Sequence, residues 1–433
     1  MAMKQEDNKK LTSVGIDSAM GKLLRQYWTP ALRSETLIRD GAPQRVMLFG
    51  QKFVAFRTTD GTVGIVDEAC PHRGVSLALG RNEDNGLRCI FHGWKFDASG
   101  QAVDAPCEPE ARRATFCKNI RVNKYTVRET AGVVWVFLGQ GDVPPFPDFE
   151  FNNLPPENVC IRRAVVPYNW VQGLEAHIDS SHVPFLHGGF LTKNKDKMEA
   201  ATANNLAAMM VDKTPKFEMD ETIYGLKESA LRNMGDGKTY ARIRKIVLPF
   251  YTFIPGPEEG PYSGRISVPI DEDSSSEWYV LYNPYKPLND ADISTLFFGT
   301  APDPDNFASN MGDESDLWGQ DRIAMKDGHF SGLTKNLSFE DFVVQASMGS
   351  RFDRSTEQLG SADAIIVKVR HLLLEAARAF EAGEGAQWTL GIDYSSIRAR
   401  SVTFDATRNW RQFSGKDEAA ACQINLNQSI KAI

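Results

Sequence analysis

Cys70-Pro71-His72-Arg73-Gly74 and Cys89-Ile90-Phe91-His92-Gly93-Trp94 each offer one thiolate and one imidazole, and sixteen residues lie between His72 and Cys89. Two cysteines on one iron and two histidines on the other is the ligand set of a [2Fe–2S] centre of the Rieske kind. Exchanging two thiolates for neutral imidazoles takes negative charge off the cluster, so its potential rises and it accepts electrons readily. A structural zinc site also suits two Cys and two His, but more often as two close cysteines followed by two histidines. In this chain each segment holds one of each, and Gly74 and Gly93 would let backbone amides approach the sulfides.

Around these segments the pattern is β-like. Arg45-Val46-Met47-Leu48-Phe49, Phe53-Val54-Ala55-Phe56 and Val133-Val134-Trp135-Val136-Phe137 are short strand-type runs, with Thr59-Asp60-Gly61 and Ala98-Ser99-Gly100 as turn signals. Residues 41–150 are therefore expected to form an all-β domain with both ligand pairs on connecting loops. Ahead of it, Asp17 to Trp28 reads as a helix with Asp17 as N-cap and Met20, Leu23, Leu24 and Tyr27 at helical spacing. Residues 1–40 are expected to be a helical segment that packs on a second domain further along the chain. Val143-Pro144-Pro145-Phe146-Pro147 and Leu154-Pro155-Pro156 mark a boundary, and residues 151–433 are expected to form that second domain. It opens with a helical segment near 168–183, continues with strand-like runs at Ile243 to Phe253 and Glu277 to Tyr282, and ends with an amphipathic helix over Ala362 to Ala382. The apolar face of that helix carries Ile365, Ile366, Val369, Leu372, Leu373, Ala376 and Phe380.

The chain has seven histidines, at 72, 92, 177, 182, 187, 329 and 371, and five of them fall in two short segments. The second segment, Asp179-Ser180-Ser181-His182-Val183-Pro184-Phe185-Leu186-His187, brings one carboxylate and two imidazoles together. On a helix Glu175, Asp179 and His182 share a face. Pro184 disfavours a helical Val183, so the helix is expected to end there and swing His187 toward His182. Two histidines and a carboxylate with open positions make the facial triad of non-haem Fe(II) oxygenases. The carboxylate need not be local, because Glu340-Asp341-Phe342-Val343-Val344-Gln345 supplies others. His177 points off the Glu175/Asp179/His182 face and reads as structural.

Composition narrows the function classes. A net charge of −7 and a pI near 5.6 over 433 residues leave no basic footprint for nucleic acid. No run approaches the ~18 apolar residues of a membrane span. The polar start Met1-Ala2-Met3-Lys4-Gln5-Glu6-Asp7 has no signal-peptide core, so a cytoplasmic location is expected. Of six cysteines, Cys107, Cys117, Cys160 and Cys422 are scattered and read as small buried hydrophobes.

Taken in order, Cys-Pro-His-Arg-Gly, Cys-Ile-Phe-His-Gly-Trp-Lys-Phe-Asp and Glu-x3-Asp-x2-His-x4-His resemble the large subunit of Rieske non-haem iron aromatic-ring oxygenases, in the phthalate-dioxygenase-like branch. Met20 to Trp28, Asn169 to Glu175, Leu248-Pro249-Phe250-Tyr251, Gln345-Ala346-Ser347-Met348-Gly349 and Asp353-Arg354 follow the same pattern, so the resemblance covers nearly the whole chain. It implies an α+β architecture: an all-β Rieske [2Fe–2S] domain and a helix-grip catalytic domain on an antiparallel sheet. It implies Cys70, His72, Cys89 and His92 as cluster ligands and His182, His187 and Asp341 as ligands of a mononuclear Fe(II). Asp179 then becomes the bridging acid that carries electrons to the iron from the cluster of a neighbouring subunit, and Glu175, Asn169 and Gln172 are expected to stand behind the ligands.

The resemblance further implies a terminal oxygenase of bacterial aromatic catabolism. Such an enzyme takes NADH-derived electrons through a flavin and iron–sulfur reductase, uses O2, and assembles as a homotrimer or stacked homohexamer. The branch acts on aromatic carboxylates of the phthalate, isophthalate or phenoxybenzoate kind. O-demethylation of a methoxylated aryl or biaryl carboxylate, such as a lignin-derived dehydrodivanillate, is the alternative, and a simple Rieske electron carrier or a zinc-stabilised binding module is more remote. An anionic substrate needs arginine. Arg242 and Arg244 alternate with Ile243 on one strand face, which is either solvated or a carboxylate clamp, and Ser180 is a candidate polar contact. No arginine lies between Arg163 and Arg232, where phthalate-type relatives commonly place one; Asn204-Asn205-Leu206-Ala207-Ala208-Met209-Met210 is neutral.

Overall fold

The computed structural model describes residues 3–194, 196, 200–293, 303–415 and 423–424. Three small antiparallel sheets make up the first half. Gln44–Leu48, Gln51–Arg57 and Val63–Asp67 form one, and Arg81–Glu83, Gly86–Arg88, Lys95–Phe96 and Ala102–Asp104 form another. In the third, Val133–Phe137 lies between Thr126–Thr130 and Thr29–Arg33.

That last strand falls inside the segment expected to be helical. Residues up to 40 contain two helices, Gln5–Thr12 and Ala19–Leu24, before the chain turns extended at Thr29. Pro30 has no amide to donate, and an edge strand tolerates that loss. The helix cap is Ser18 rather than Asp17: its hydroxyl accepts from the Gly21 amide at 3.0 Å. Both helices pack on Ala364–Glu381, the long amphipathic helix of the second half, through Leu11, Met20, Leu23, Leu24, Ile365, Val369 and Leu373. Arg370 and Leu374 are also buried on that helix, while Ile366, Leu372 and Phe380 are half-buried.

The second half is built on a nine-stranded antiparallel sheet. Along its main path the order is Val159–Val166, Ser275–Tyr282, Tyr262–Pro269, Tyr251–Ile254, Lys238–Val247, Gly225–Gly235, Lys216–Thr222 and the short Gln423–Ile424. The expected run Ile243 to Phe253 is two of these strands, separated at Leu248-Pro249-Phe250. Every residue of Tyr262–Pro269 and Ser275–Tyr282 is buried, so these strands are covered on both faces. One cover is the helix Trp170–Ile178, which sets Trp170, Val171, Leu174 and Ile178 in the main core. Gly173 allows the close seat: a Cβ there would lie 2.2 Å from Oε1 of Glu277 and 2.6 Å from Oγ of Ser267.

Three residues expected behind the ligands hold this helix in place and hydrogen-bond none of the ligand side chains. Asn169 caps it and donates to the carbonyls of Thr12 and Glu272. Gln172 donates to the carbonyls of Gln345 and Gly349 and accepts from the Phe352 amide, which ties the helix to Leu337–Ala346. Glu175 binds Arg354 at 2.9 Å and Arg370 at 2.6 Å. Both guanidiniums are buried; Arg370 keeps a second acid in Glu357, whereas the other partners of Arg354 are the neutral Asn8 side chain and the Phe352 carbonyl, so removing Glu175 leaves a buried charge uncompensated. Glu175→Ala is expected to destabilise the fold by about 3 kcal/mol, read as a lowered Tm; an unchanged Tm would contradict this role.

Candidate metal centres and substrate cavity

The loops at Cys70 and Cys89 are the same turn made twice. Cys70 N–H donates to the Val75 carbonyl and Gly74 N–H to the Cys70 carbonyl, both at 2.8 Å. Cys89 N–H donates to Trp94 at 2.8 Å and Gly93 N–H to Cys89 at 3.0 Å. Each turn needs a left-handed residue, supplied by Gly74 (φ +76°) and Gly93 (φ +75°). The histidine enters two residues after the first cysteine and three after the second, which brings the His72 and His92 rings to 4.5 Å. His72 stacks flat on Trp94 at 4.4 Å.

Cys70 and Cys89 are buried with Leu77, Leu87, Trp94 and Phe96. Burial, with Cys89 alongside, pushes the Cys70 thiol up to about 11, so a metal must displace its proton. Nδ1 of His92 is buried with no hydrogen-bond partner, and a metal bond would satisfy it. Two thiols and two imidazoles on paired turns fit a [2Fe–2S] cluster. Of the remaining cysteines, Cys117 is buried, Cys160 is half-buried and Cys107 is exposed, against expectation. Cys422 lies outside the described residues.

The helix expected to run through to His182 ends at Ile178. Asp179 turns extended and its Oδ1 takes the Ser181 amide at 2.6 Å, so the side chain competes with the helical hydrogen bond. Pro184 then sits in the first turn of a new short helix, Val183–Leu186, which places His187 against His182. The two Nε2 atoms are 3.2 Å apart, and Oδ1 of Asp341 lies 3.5 Å from His182 and 3.1 Å from His187. Donor atoms bonded to one ion at ~2.1 Å stand about 3 Å apart, so this set could hold a single metal.

Each imidazole has a carboxylate on its outer nitrogen. Asp179 Oδ2 lies 3.1 Å from Nδ1 of His182, and Glu340 Oε2 lies 2.8 Å from Nδ1 of His187. Such contacts fix the ring's tautomer and aim. Glu340 is fully buried and also accepts from Ser331 Oγ at 2.5 Å. Burial opposes the His187 imidazolium, but Asp341 and Glu340 outweigh it and raise the group to about 9, so the site favours positive charge. Burial also opposes the Asp179 carboxylate, but His182, the Ser181 amide and Arg244 hold it down at about 2. Glu340 carries no assignment in the sequence reading; its one signal is the adjacent Glu-Asp pair.

Beside the triad is a cavity of about 120 Å³, close to the ~150 Å³ that accepts a benzene ring. Its walls are mainly apolar, including Leu191, Met209, Ile254, Pro257 and Leu337. Arg242 and Arg244 line it and are buried, not solvated. Opposite them in the hairpin stand Ala230 and Glu228, a register set around the Asp236-Gly237 turn. Glu228 lies 3.7 Å from Arg244, while Nε and Nη1 of Arg242 are buried with no hydrogen-bond partner. Burial, with Arg244 and Arg232 nearby, pulls Arg242 down to about 10, so it stays charged at neutral pH. Ser180 does not line the cavity, and its carbonyl accepts from Arg232 at 3.4 Å. His177, read as structural, does line it.

Residues 27–126 match the Rieske [2Fe-2S] domain and residues 136–432 the LigXa C-terminal domain like family. The chain is 35% identical to the phthalate 4,5-dioxygenase oxygenase subunit of Pseudomonas putida over 440 residues, covering 97% of both chains. It is 37% identical to the 3-chlorobenzoate-3,4-dioxygenase oxygenase subunit of Comamonas testosteroni, covering 87% of this chain and 89% of the relative. The solved structure of NdmA from Pseudomonas putida CBB5 with caffeine superposes with a TM-score of 0.58 at 17% identity, over 84% of this chain and 94% of that one, a likeness of fold.

Proposed function

Since the chain belongs to the Rieske non-haem iron oxygenases, as an oxygenase subunit, we propose that it hydroxylates an aromatic carboxylate with O2. Its cofactors are a [2Fe–2S] cluster and a mononuclear iron, which together supply electron transfer and oxygen activation. In this reading Cys70, His72, Cys89 and His92 hold the cluster and His182, His187 and Asp341 hold the iron. Arg242 carries the substrate class: a charged guanidinium, buried and short of partners, lines a ring-sized cavity next to the triad. It binds the carboxylate, the apolar walls hold the ring face, and Glu340 and Asp179 keep the two imidazoles aimed.

Electrons come from NADH through a separate flavin and iron–sulfur reductase and enter at residues 41–150, extended by the strand Thr29–Arg33. They cross to the catalytic part, residues 151–433, of a neighbouring subunit through Asp179. Supporting this route, Cys70 and Cys89 sit in a core distinct from the one around Phe339 and Phe342 on the Asp341 helix. Apolar side chains are exposed at both ends of it: Ile90 and Phe91 at the cluster, and Phe185 and Phe330 beside His187. A homotrimer or stacked homohexamer would cover them. Among the described residues no helix is long and apolar enough to cross a membrane; a cytoplasmic site of action fits this.

Arg242→Met tests the substrate class. A hydrogen bond to a charged group contributes about 1.5–3 kcal/mol, so Kd for a bound aromatic acid is expected to rise roughly tenfold to a hundredfold with metal content retained. Unchanged binding would remove the carboxylate anchor. O-demethylation is the second reading, favoured by the neutral wall at Met209. Formaldehyde released from methoxybenzoates, assayed beside O2 uptake, separates the two.

A further inference from the structure

His177 and Glu277 form a buried polar pair at the cavity that neither metal assignment uses. His177 is 7% exposed and lines the cavity from the helix side, whereas Arg242 enters from the sheet. Its Nδ1 is buried without a hydrogen-bond partner, and its Nε2 is 3.5 Å from Oε2 of Glu277. Glu277 is fully buried. Its Oε1 accepts from Ser267 at 2.8 Å and Ser275 at 2.9 Å, while Oε2 is left without a hydrogen bond. Gly173 packs closely over Oε1, where an added Cβ would lie 2.2 Å from it. A buried polar group with an open valence costs stability, and substrate-binding sites are where such a cost is recovered.

We propose that His177, backed by Glu277, selects an oxygen substituent, a hydroxyl or an alkoxyl, on the ring of the carboxylate substrate. The imidazole is neutral: burial and the charge on Arg265 hold it down at about 3. Burial pushes the Glu277 carboxyl up to about 8, so it can hold a proton toward Nε2 and leave Nδ1–H as the ring's one open, uncharged donor, which suits a phenolic or ether oxygen rather than a second carboxylate. The neighbouring guanidinium of Arg244 donates to the His177 carbonyl at 3.4 Å, which helps fix the backbone at this point. The site thus separates two tasks, charge recognition by the sheet and recognition of a neutral oxygen by the helix. This inference rests on the proposed anchoring of the carboxylate by Arg242.

The test is equilibrium binding of benzoate, the three monohydroxybenzoates and the three monomethoxybenzoates to the red-brown holoprotein. At least one oxygenated isomer is expected to bind about tenfold more tightly than benzoate, the size of one good neutral hydrogen bond. In His177→Phe that ratio falls to about one, and in His177→Asn, which restores a hydrogen-bonding group, part of it returns. A preference that survives His177→Phe, or a wild type that prefers no isomer, overturns the proposal. Arg242→Met separates the two ideas, because it weakens benzoate and its derivatives alike if the carboxylate anchor is right. If it does not, His177 is judged on phenol and anisole against toluene: a wild-type preference lost in His177→Phe upholds its role, and no such preference ends it.

Discussion

Replacing His187 by alanine is expected to abolish substrate-dependent oxygen uptake while the protein keeps the red-brown colour of its cluster. The three donor atoms of the proposed iron site lie within 4.8 Å of one another, and one imidazole supplies a third of them. Losing even a partner that only orients a ligand costs about 10–100-fold in metal affinity or activity, and losing the ligand itself costs more. The substitution also strips Glu340, a fully buried carboxylate, of its imidazole partner and leaves it with Ser331. Metal analysis should therefore find about one iron in three missing, with the two of the cluster retained. An iron content and turnover equal to wild type would place the oxygen chemistry elsewhere.

Asp179→Asn should lower turnover by about a hundredfold with both metal centres filled. Asparagine has the shape of aspartate and its carbonyl can still accept the Ser181 amide, so the end of the helix should survive. What disappears is the negative charge at 3.1 Å from Nδ1 of His182. If Asp179 carries electrons between subunits, a chemically reduced cluster in the variant will reoxidise slowly in the presence of substrate and O2, and added reductase will not speed it. Wild-type reoxidation kinetics would end the bridging assignment. A lost iron would instead make Asp179 only a support for His182, and iron content and reoxidation rate separate these outcomes.

The two cysteine–histidine turns were legible from sequence because everything they need is local: ligand, left-handed glycine and closing residue lie within six positions of each other. His182, His187 and Asp341 were legible as a set, with Asp341 assigned through resemblance, since the chain distance from His187 hides the contact. The geometry between them was not. A continuous helix to Val183 put Glu175, Asp179 and His182 on one face, but the Asp179 side chain takes the Ser181 amide and the helix ends at Ile178. The break takes Asp179 and His182 off the Glu175 face, while Glu175 and His177 keep their helical places, one against Arg354 and Arg370 and the other at the cavity. Glu340 was missed because two adjacent acids read alike until the rotation of their helix against His187 is known. Arg242 and Arg244 were ambiguous for a related reason: alternation shows that they share a face, but only the neighbouring strand and the covering helix decide whether water reaches it.

The adjacency of Glu340 and Asp341 has a consequence for what this chain can tolerate. Glu340 steadies the His187 ring from behind and the next residue, Asp341, meets the ring's other nitrogen at the proposed iron site, so both depend on a single backbone setting of Leu337–Ala346. An extra residue between Asn336 and Glu340 would rotate both acids by about 100° together, and no side-chain substitution could restore one without the other. Length in this helix is therefore as strict a requirement as identity: point changes around it can be absorbed, whereas insertions and deletions cannot.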